Sequence, residues 1–408
     1  MATAVRSIGT YREHYLPGTD AQPGGGLVKV TFCGASTLLF DDGSTQILID
    51  AFIARPTMET LLAAAEQGQG TVQEVTFYLR RSPIVVTPPS GQAPVQVNVM
   101  NFVRAESDTY FDGLAARVGG INRWQHVREP TPIDAQAVIR MNRDTLYSSI
   151  IVDLSDGATL TMPDAKGRYQ TAMVVDQDHY IERVFDRPGT YHLDTGSFAT
   201  PFVAIVVRTL VDPNDPSDVA AVGALQDQLR LQANSTQPFT HPAWDPESLK
   251  ATREPLLELA RHLPDTIGAF GSRQATDPIK HLLGTASGWG GLPADQARYL
   301  GVEPGLPAGH YRLTVADVPV RAFWSVSVYN RRGFFEQNDL GRYSVNSVTA
   351  QVGDDGTVTI NFGGDPSLPN HIPIMDGWNY LVRLYQPEPQ ILDGSWTFPG
   401  LGTPPGTR

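Results

Sequence analysis

Short segments with the two-residue period or the apolar, β-branched composition of β-strands recur along this 408-residue chain. Runs rich in Val, Ile, Thr and aromatic residues recur, and Gly, Pro, Asp and Asn separate them, as in strands joined by turns. Three such runs follow a polar stretch that ends in three glycines at 24–26. The pattern predicts strands over residues 27–32, 36–40 and 46–50.

Helical signals appear between the strands in the middle of the chain. Thr57 can cap a helix over 57–66, and Ser107 can cap a helix that runs to about Val118, before Gly119 and Gly120. Further helices are expected over 216–232 and 246–262, with shorter helical pieces to about residue 300. The predicted strands of this region are 75–79, 158–162, 169–176, 189–193 and 202–210.

The last hundred residues return to the strand pattern, with turns at the spacing of a β-sandwich. The strands expected there are 311–315, 322–329, 345–351, 357–362 and 380–385. We therefore predict a β-rich α+β protein. It has a mixed αβ domain and a helical connection, followed by a C-terminal antiparallel β-sandwich or jelly-roll-like domain. The expected divisions are a flexible N-terminal arm (1–26), a small β unit and linker (27–99), a mixed β-rich domain (100–215), a helical segment (216–305) and the C-terminal sandwich (306–408).

The net charge of the chain limits the classes of molecule that it is expected to bind. The net charge is -12, and no run of five basic residues interrupts it, so neither nucleic acid nor an anionic membrane is an expected partner. The single cysteine, Cys33, cannot form a disulfide within the chain and is expected to be a small buried side chain. No signal peptide or membrane-length apolar run is visible, which predicts a cytoplasmic protein.

The run from Ile139 to Ser149 is the strongest candidate for a site. It places two arginines, an aspartate and an asparagine directly before the apolar, β-branched segment 150–154, which predicts a buried strand. Charges at the mouth of a buried strand are costly unless they are paired or meet a ligand. The run therefore marks either a site or a buried ion-pair network between two domains.

Each polar residue of this run has a functional and a structural interpretation. Arg140 or Arg143 would present a forked guanidinium to a carboxylate or phosphate, and Asn142 would assist. Asp144 would orient the ligand, and Tyr147 would be an acid or a core aromatic. In an extended segment the two arginines point to opposite faces, whereas a bend would let both flank Asp144.

Two histidines are candidates for proton transfer. His179 follows Asp176 and Asp178 at a strand end, so it would act as a general base, or the three would bind a divalent cation. The alternative is a turn in which the aspartates cap the backbone. His126 lies in a loop just before the main run and is a weaker candidate for the same role. No other cofactor signature is evident.

In the C-terminal part, strand alternation separates two groups of side chains. Trp324 shares a face with Val326 and Val328, which favours the core, although it is also a candidate for lining a pocket. Tyr329 is on the other face with two serines, where it could line a pocket. Arg383 is a further candidate buried cation for substrate binding.

From about residue 100 onwards the chain resembles bacterial proteins of two paired domain-of-unknown-function families, numbers twelve-fifty-four and twelve-fourteen. The first resemblance is carried by segments 140–148, 167–169, 178–180, 188–191 and 225–227, and the second by 322–330, 343–346, 355–360, 377–380, 382–387 and 394–396. The resemblance implies a β-rich two-domain fold and homo-oligomers. Residues 34–50 are also similar to the opening strands of the metallo-β-lactamase fold, but its His-x-His-x-Asp-His motif does not follow.

These features suggest an enzyme that acts on a small polar or anionic organic molecule in a pocket between the two main domains. A hydrolase is the most plausible class, because no glycine-rich phosphate loop or dinucleotide fingerprint is present, although no Gly-x-Ser-x-Gly elbow is present either. One alternative is a non-catalytic ligand-binding or assembly protein in which the arginines form structural ion pairs. A further alternative is a metal-assisted enzyme that uses Asp176, Asp178 and His179.

Overall fold

The computed structural model describes residues 94–136 and 139–402, together with the backbone of five strands between residues 6 and 50. The chain divides into two compact units, Met1–Ser90 and Gly91–Arg408. The first unit contains one antiparallel sheet whose strands follow sequence order: β1 (Arg6–Ile8), β2 (Tyr11–Pro17), β3 (Leu27–Phe32), β4 (Thr37–Asp41) and β5 (Gln46–Asp50).

The three strands predicted for this unit are confirmed, with β4 shifted by one residue. Residues 1–26, for which we expected an arm, contribute β1 and β2, and β2 pairs with β3. Cys33, the helix expected over 57–66 and the strand expected over 75–79 lie outside the described residues. The likeness of residues 34–50 to the metallo-β-lactamase fold stays a prediction.

The second unit begins with two sheets that we call the first sandwich. One sheet has the order β10-β9-β12-β7-β6 and the other the order β11-β8-β13. The strands are β6 (Gln125–His126), β7 (Thr145–Asp153), β8 (Ala158–Met162), β9 (Gln170–Asp176), β10 (Ile181–Phe185), β11 (Gly189–Leu193), β12 (Phe202–Leu210) and β13 (Arg230–Ala233).

The central strand β12 is buried along its whole length because both faces of its sheet are covered. Val203, Ile205 and Val207 belong to the core between the two sheets. Ala204 and Val206, on the opposite face, belong to a second core that also contains side chains of the helices and of the C-terminal part. This second core joins the first sandwich to the rest of the unit.

Five helices occur in the described part of the chain: α1 (Phe102–Arg117), α2 (Pro216–Gln226), α3 (Pro246–Ala260), α4 (Pro278–Gly288) and α5 (Pro389–Leu392). Three of them start with an Asp-Pro pair, in which the aspartate accepts backbone N–H bonds and proline occupies the first turn. Helices α1, α3 and α4 pack on one another around Leu249, Leu256 and Leu283. None of the five has the length and apolarity needed to cross a membrane.

The C-terminal residues form a second sandwich. Its sheets have the orders β14-β20-β16-β17 and β15-β18-β19. Its strands are β14 (Ala297–Val302), β15 (Tyr311–Val315), β16 (Trp324–Tyr329), β17 (Ser344–Asn346), β18 (Val358–Phe362), β19 (His371–Ile372) and β20 (Asn379–Tyr385). Apolar residues of both sheets pack in one core, so the predicted β-rich α+β fold is confirmed.

Several predicted boundaries are wrong. Helix α1 starts at Phe102, because Ser107 is a buried helical residue that accepts a hydrogen bond from Trp289 instead of capping the helix. The helix expected over 216–232 stops at Gln226, since residues 230–233 pair with β8. Residues 297–302 are a strand, and the strand expected over 345–351 shortens to β17. In each case contacts with residues far along the chain outweigh the local preference of the sequence for helix or strand.

Candidate functional site

The predicted motif lies where the first and second sandwiches meet. Arg140 has a left-handed backbone, with φ of 55°, and its N–H donates to the carbonyl of Gly333 in the second sandwich. The chain therefore bends here before it enters β7. Of the two conformations considered from the sequence, an extended segment and a bend, the bend is the one observed. The bend brings residues 140–144 against strands β16 and β20.

Asp144 is completely buried in this junction. Its Oδ2 accepts a 2.7 Å hydrogen bond from Ser325, and its Oδ1 accepts a 3.4 Å bond from the amide of Asn346. Burial raises the pKa of Asp144, while Arg383 and these two donors act in the opposite direction. The described donors to this carboxylate belong to the second sandwich, so Asp144 connects the two sandwiches.

Arg383 on β20 is also buried, and its hydrogen bonds go to protein groups. It donates to Ser327 at 3.0 Å, to the phenol oxygen of Tyr329 at 2.8 Å and to the carbonyl of Arg140 at 2.8 Å. Tyr329 in turn donates to the carbonyl of Met141 at 2.7 Å. The predicted face of Ser325, Ser327 and Tyr329 thus holds the bend of the motif in place.

The two arginines of the motif point to different partners. The guanidinium of Arg140 lies 3.6 Å from the exposed carboxylate of Glu303. Arg143 donates to the carbonyl of Thr131 and lies over the ring of Tyr343, 5.4 Å from its centre. Neither arginine makes a hydrogen bond to Asp144 in the part of the chain that the structure describes. These contacts fit the structural interpretation of the run better than ligand binding.

Asn142 and Tyr147 lie at the deep end of the same junction. The Asn142 amide donates to the phenol oxygens of Tyr147, at 3.4 Å, and Tyr385, at 3.0 Å. The guanidinium of Arg208 lies 5.3 Å from the ring centre of Tyr147. Burial alone would raise the pKa of Tyr147, but Arg208 and the hydrogen-bond donors outweigh burial and lower it.

His179 is fully buried. The N–H of Gly290 donates to its Nε2 at 2.8 Å, which leaves the proton on Nδ1, where it is donated to Thr285 at 2.8 Å. Burial lowers the pKa of His179 well below the ordinary value. Both ring nitrogens are occupied, so this histidine is held as a neutral structural group.

The aspartates beside His179 also have separate partners. Asp176 accepts backbone hydrogen bonds from Asp178 and Tyr180, as expected for an aspartate that caps a turn. Asp178 pairs with Arg104 at 2.6 Å and with Arg273 at 3.3 Å. Among the described residues, no three His, Cys, Asp or Glu side chains are arranged to hold a metal ion. The three predicted ligands do not converge on one point.

The predicted site residues His126 and Trp324 have partners other than those of Asp144 and Arg383. The Nδ1 of His126, on β6, is 2.8 Å from the hydroxyl of Ser148 on β7, a pairing that the sequence did not reveal. Ser148 is only 1% exposed, which closes its hydroxyl to a substrate. Trp324 is part of the core of the second sandwich, as its shared face with Val326 predicted.

A cleft of about 840 Å³ opens between the two sandwiches beside Asp144. We call it the interdomain cleft. From the first side it is lined by residues 162–170, 186–188, 210–212, Asp215 and Asp218, and from the second by residues 321–322, Asn346, 348–349 and Gln386. Two of its lining residues contact Asp144 directly: Asn346 through its amide, and Val211, whose N–H donates to the Asp144 carbonyl at 2.9 Å.

Four carboxylates of the cleft are bonded to neighbouring protein groups. The pairs are Asp164 with Lys166, Asp186 with Gln386, Asp215 with Ser217 and Asp218 with Arg168. The cations Arg187 and Arg321 have weaker ion pairing than these carboxylates have bonding partners. Within the described residues Arg187 has no ion pair, and Arg321 lies 3.9 Å from Glu388. Neutral amide and backbone donors leave the charges of Asp186 and Asp215 in place, so the cleft carries charges of both signs, and Arg187 and Arg321 are its least paired cations.

Arg187 and Arg321 line the same cleft although they belong to different sandwiches. The side chain of Gln386 donates to Asp186, the neighbour of Arg187, at 3.0 Å. The N–H of Arg321 donates to the carbonyl of the same Gln386 at 2.9 Å. One hydrogen-bonded connection thus links the positions of both arginines.

The sequence analysis missed the arginines that the structure makes prominent. Arg208 had a usable signal, because it is the only charged residue in the nine-residue strand β12. Arg187 and Arg321 had none, since an arginine in a polar connection is ordinary in sequence. Their proximity follows from the contact between the sandwiches.

Two family models match this chain. The model of a protein of unknown function (DUF1254) matches residues 121–192, and that of a protein of unknown function (DUF1214) matches residues 303–389. The matches fall in the first and the second sandwich respectively, and they confirm the resemblance inferred from the sequence.

The chain is also similar to two solved structures. One is the VPA0106 protein from Vibrio parahaemolyticus, with 18% identity and a TM-score of 0.59 over 74% of this chain and 96% of that chain. The other is an uncharacterised protein from Burkholderia cenocepacia, with 17% identity and a TM-score of 0.46 over 75% of this chain and 87% of that one. The first similarity shows a shared fold. A comparison with curated proteins gave no match.

Proposed function

We propose that this protein, which pairs a DUF1254 domain with a DUF1214 domain, is an enzyme that acts on a small polar molecule with an anionic group in the interdomain cleft. The observation that supports this function is the cleft itself, about 840 Å³ in volume and lined from both sandwiches. That volume lies within the range of small-molecule sites, which favour domain interfaces.

Arg187 and Arg321 are the cleft groups that would bind an anionic group on the ligand. A guanidinium offers several N–H donors in one plane, and this arrangement matches the oxygens of a carboxylate or phosphate. Arg168 is less suited to this role, because Asp218 and the carbonyl of Leu210 already occupy its guanidinium. Arg187 and Arg321 would hold the ligand from opposite sandwiches.

Hydrolysis is the reaction class that we favour, with Asp212 as the group that activates water. Asp212 lines the cleft and is partly exposed. Its Oδ1 accepts the N–H of Asn214, while its Oδ2 has no hydrogen-bond partner among the described residues. A carboxylate oxygen in this position can accept a proton from water that attacks an ester, amide or phosphoester.

Ligand binding is tested by thermal shift and calorimetric titration with small carboxylates, phosphates and neutral sugars. We expect the anions to stabilise the wild type and the double variant Arg187→Gln/Arg321→Gln to lose this response. Arg183→Gln is the matched control, because Arg183 is exposed on β10, outside the cleft lining. If the double variant binds anions as tightly as the control, the cleft is not the binding site.

Catalysis is tested separately with ester, amide and phosphoester substrates that carry a second anionic group. Asp212→Asn should retain binding and lose turnover by about a hundredfold or more, the usual contribution of a general base. Unchanged turnover in this variant would remove Asp212 from the mechanism.

A non-catalytic ligand-binding protein is the second candidate function. It is supported by the way in which the contacts between the two sandwiches occupy Asp144, Arg383 and Tyr329. For this candidate we expect anion binding in the cleft without turnover of any substrate class. Turnover that disappears in Asp212→Asn would exclude it.

A further inference from the structure

A second cavity, of about 400 Å³, lies beside β10, the edge strand of the larger sheet of the first sandwich. Strand β10, the loop between α3 and α4, and the turn at 293–296 each contribute lining residues. We call this space the edge cavity. Its volume lies within the range of small-molecule sites.

Backbone hydrogen bonds fix the walls of the edge cavity relative to β10. The N–H of Ile181 donates to the carbonyl of Gly271, in the loop between the two helices, at 2.8 Å. The N–H of Gln296 donates to the carbonyl of Pro293 at 2.8 Å and closes the turn. The side chains that line the cavity therefore project from segments held by the fold.

A β-bulge in β10 places Glu182 in the cavity wall. The register of β10 against β9 shifts between Ile181 and Arg183. Neighbouring residues of a regular strand point to opposite faces, whereas here Ile181 and Glu182 line the same cavity, as a bulge allows. The Glu182 Oε1 accepts the N–H of Arg273 at 3.0 Å, and its Oε2 has no hydrogen-bond partner among the described residues.

Asp295, in the turn, is the second carboxylate of the cavity lining. Its Oδ2 accepts the amide of Gln296 at 3.3 Å, and its Oδ1 has no partner in the part of the chain that the structure describes. The guanidinium of Arg183 donates to the backbone carbonyl of Glu182, at 3.0 Å, and not to its carboxylate. Glu182 and Asp295 are the charged residues of the lining, so the cavity carries negative charge.

The cations of the adjoining segments are paired with other acids. Arg273 lies 3.3 Å from the carboxylate of Asp178. Lys280 donates to Asp265 at 3.1 Å. Over the described ranges neither Glu182 nor Asp295 has an ion pair with a lysine or arginine. A cavity lined by charge of one sign attracts ligands of the opposite sign.

We propose that the edge cavity binds a small organic cation, namely a primary alkylammonium with a short hydrocarbon chain. The free oxygens of Glu182 and Asp295 would accept its N–H groups in charge-assisted hydrogen bonds. The hydrocarbon chain would lie against Ile181, Val184 and Phe270, which line the cavity and belong to or pack on the core behind it.

The edge cavity is separate from the interdomain cleft. The two sets of lining residues share no member within the described chain. The least paired groups also differ in sign, because they are arginines in the cleft and carboxylates in the edge cavity. The proposal thus goes beyond the function proposed for the cleft and does not depend on it.

The first test is a thermal-shift and calorimetric titration of the full chain with butylammonium chloride, at an ionic strength kept constant with sodium chloride. Sodium butyrate is the comparison ligand of opposite charge. We expect butylammonium to stabilise the wild type and butyrate to have no effect at this cavity. In Glu182→Gln/Asp295→Asn the dissociation constant should rise about tenfold or more, the effect of losing charged hydrogen bonds.

The matched control for these substitutions is Asp194→Asn. Asp194 is an exposed carboxylate outside the lining of the edge cavity. This variant has a lower negative charge, as the cavity variants have, but it should bind butylammonium as tightly as the wild type. Asparagine and glutamine keep an acceptor oxygen, so the bonds from Arg273 and Gln296 can persist in the cavity variants.

A second test measures the contribution of the apolar wall. Methyl-, ethyl-, propyl- and butylammonium carry the same charge and differ in the number of methylene groups. Burying one methylene group improves binding by up to about fourfold. We therefore expect the affinity of the wild type to rise by about two- to fourfold at each step of this series.

Four results would overturn the edge-cavity proposal. The first is no response of the wild type to butylammonium beyond that to sodium. The second is equal affinity in Glu182→Gln/Asp295→Asn and Asp194→Asn. The third is an affinity that does not change from methyl- to butylammonium. The fourth is a response that survives in the cavity variant and disappears in Asp186→Asn/Asp215→Asn, which would assign the cation to the interdomain cleft.

Discussion

Arg383→Met removes the guanidinium that connects the bend of the motif to the second sandwich. The variant leaves the buried carbonyl of Arg140 without its donor, which costs about 1–3 kcal/mol. It also removes a buried positive charge that lowers the pKa of Asp144, and the cost stays below the about 3–5 kcal/mol of a broken buried ion pair, because no direct bond joins the two groups. Asp144 can take up a proton and reduce the second cost. We therefore expect a total loss of about 4 kcal/mol in the free energy of unfolding.

The assay is urea unfolding at neutral pH, followed by tryptophan fluorescence, with calorimetry as a second measurement. For a unit of roughly 300 residues, a loss of about 4 kcal/mol corresponds to a fall in Tm of about 6 °C. The matched control is Arg332→Met, because Arg332 is exposed and lies over the ring of Phe334. Its effect should stay within about 0.5 kcal/mol.

The reasoning is refuted if Arg383→Met loses no more stability than Arg332→Met. That outcome would favour the other role predicted for Arg383 from the sequence, namely a cation that binds substrate. In that case the variant should lose ligand affinity at unchanged stability.

Three further predictions concern stability. Burial raises the pKa of Asp176 to about 6, so the folded protein holds this proton more tightly than the unfolded chain. The stability from this group is present below about pH 4 and is lost as pH rises through about 6, by about 3 kcal/mol. Asp176→Asn should remove that loss in urea titrations across this pH range, and parallel curves for variant and wild type would contradict it. Thr285→Val leaves the Nδ1 proton of His179 without an acceptor and should cost about 1–3 kcal/mol, whereas Thr285→Ser should retain most of the stability. Asp215→Ala removes the cap of α2 and should lower the free energy of unfolding by about 1 kcal/mol, and no change would show that proline at the first turn suffices.

Strands with two buried faces or strict alternation were predicted well from sequence. The bounds of β8, β11, β12 and β15 agree with the predicted ranges residue by residue. Turn residues at both ends define such strands, and apolar side chains in between are buried in any register that forms a core. The errors fall where a partner far along the chain determines the secondary structure. Residues 230–232 were predicted as the end of a helix, but they belong to β13, which pairs with β8.

The candidate site, too, was predicted from the sequence only in part. The sequence identified the run at 140–149 as a place where charges enter the interior, and Asp144 is indeed completely buried. It left open whether those charges meet a ligand or each other, because both arrangements require the same residues. The carbonyl, hydroxyl and amide groups that occupy Arg143, Asp144 and Arg383 are known only from the structure.

By itself, then, the amino-acid sequence determined the ranges of many strands, the β-rich class, the paired domains and the position of the buried polar run. These depend on local periodicity and on the cost of burying charge, which neighbouring residues reveal. Only the tertiary structure decided that Ser325 and Asn346 bond Asp144, that Arg208 is without a carboxylate partner among the described residues, and that Arg187 and Arg321 line one cleft. Those are contacts between segments more than a hundred residues apart, or the lack of one, and the packing of two sandwiches creates them.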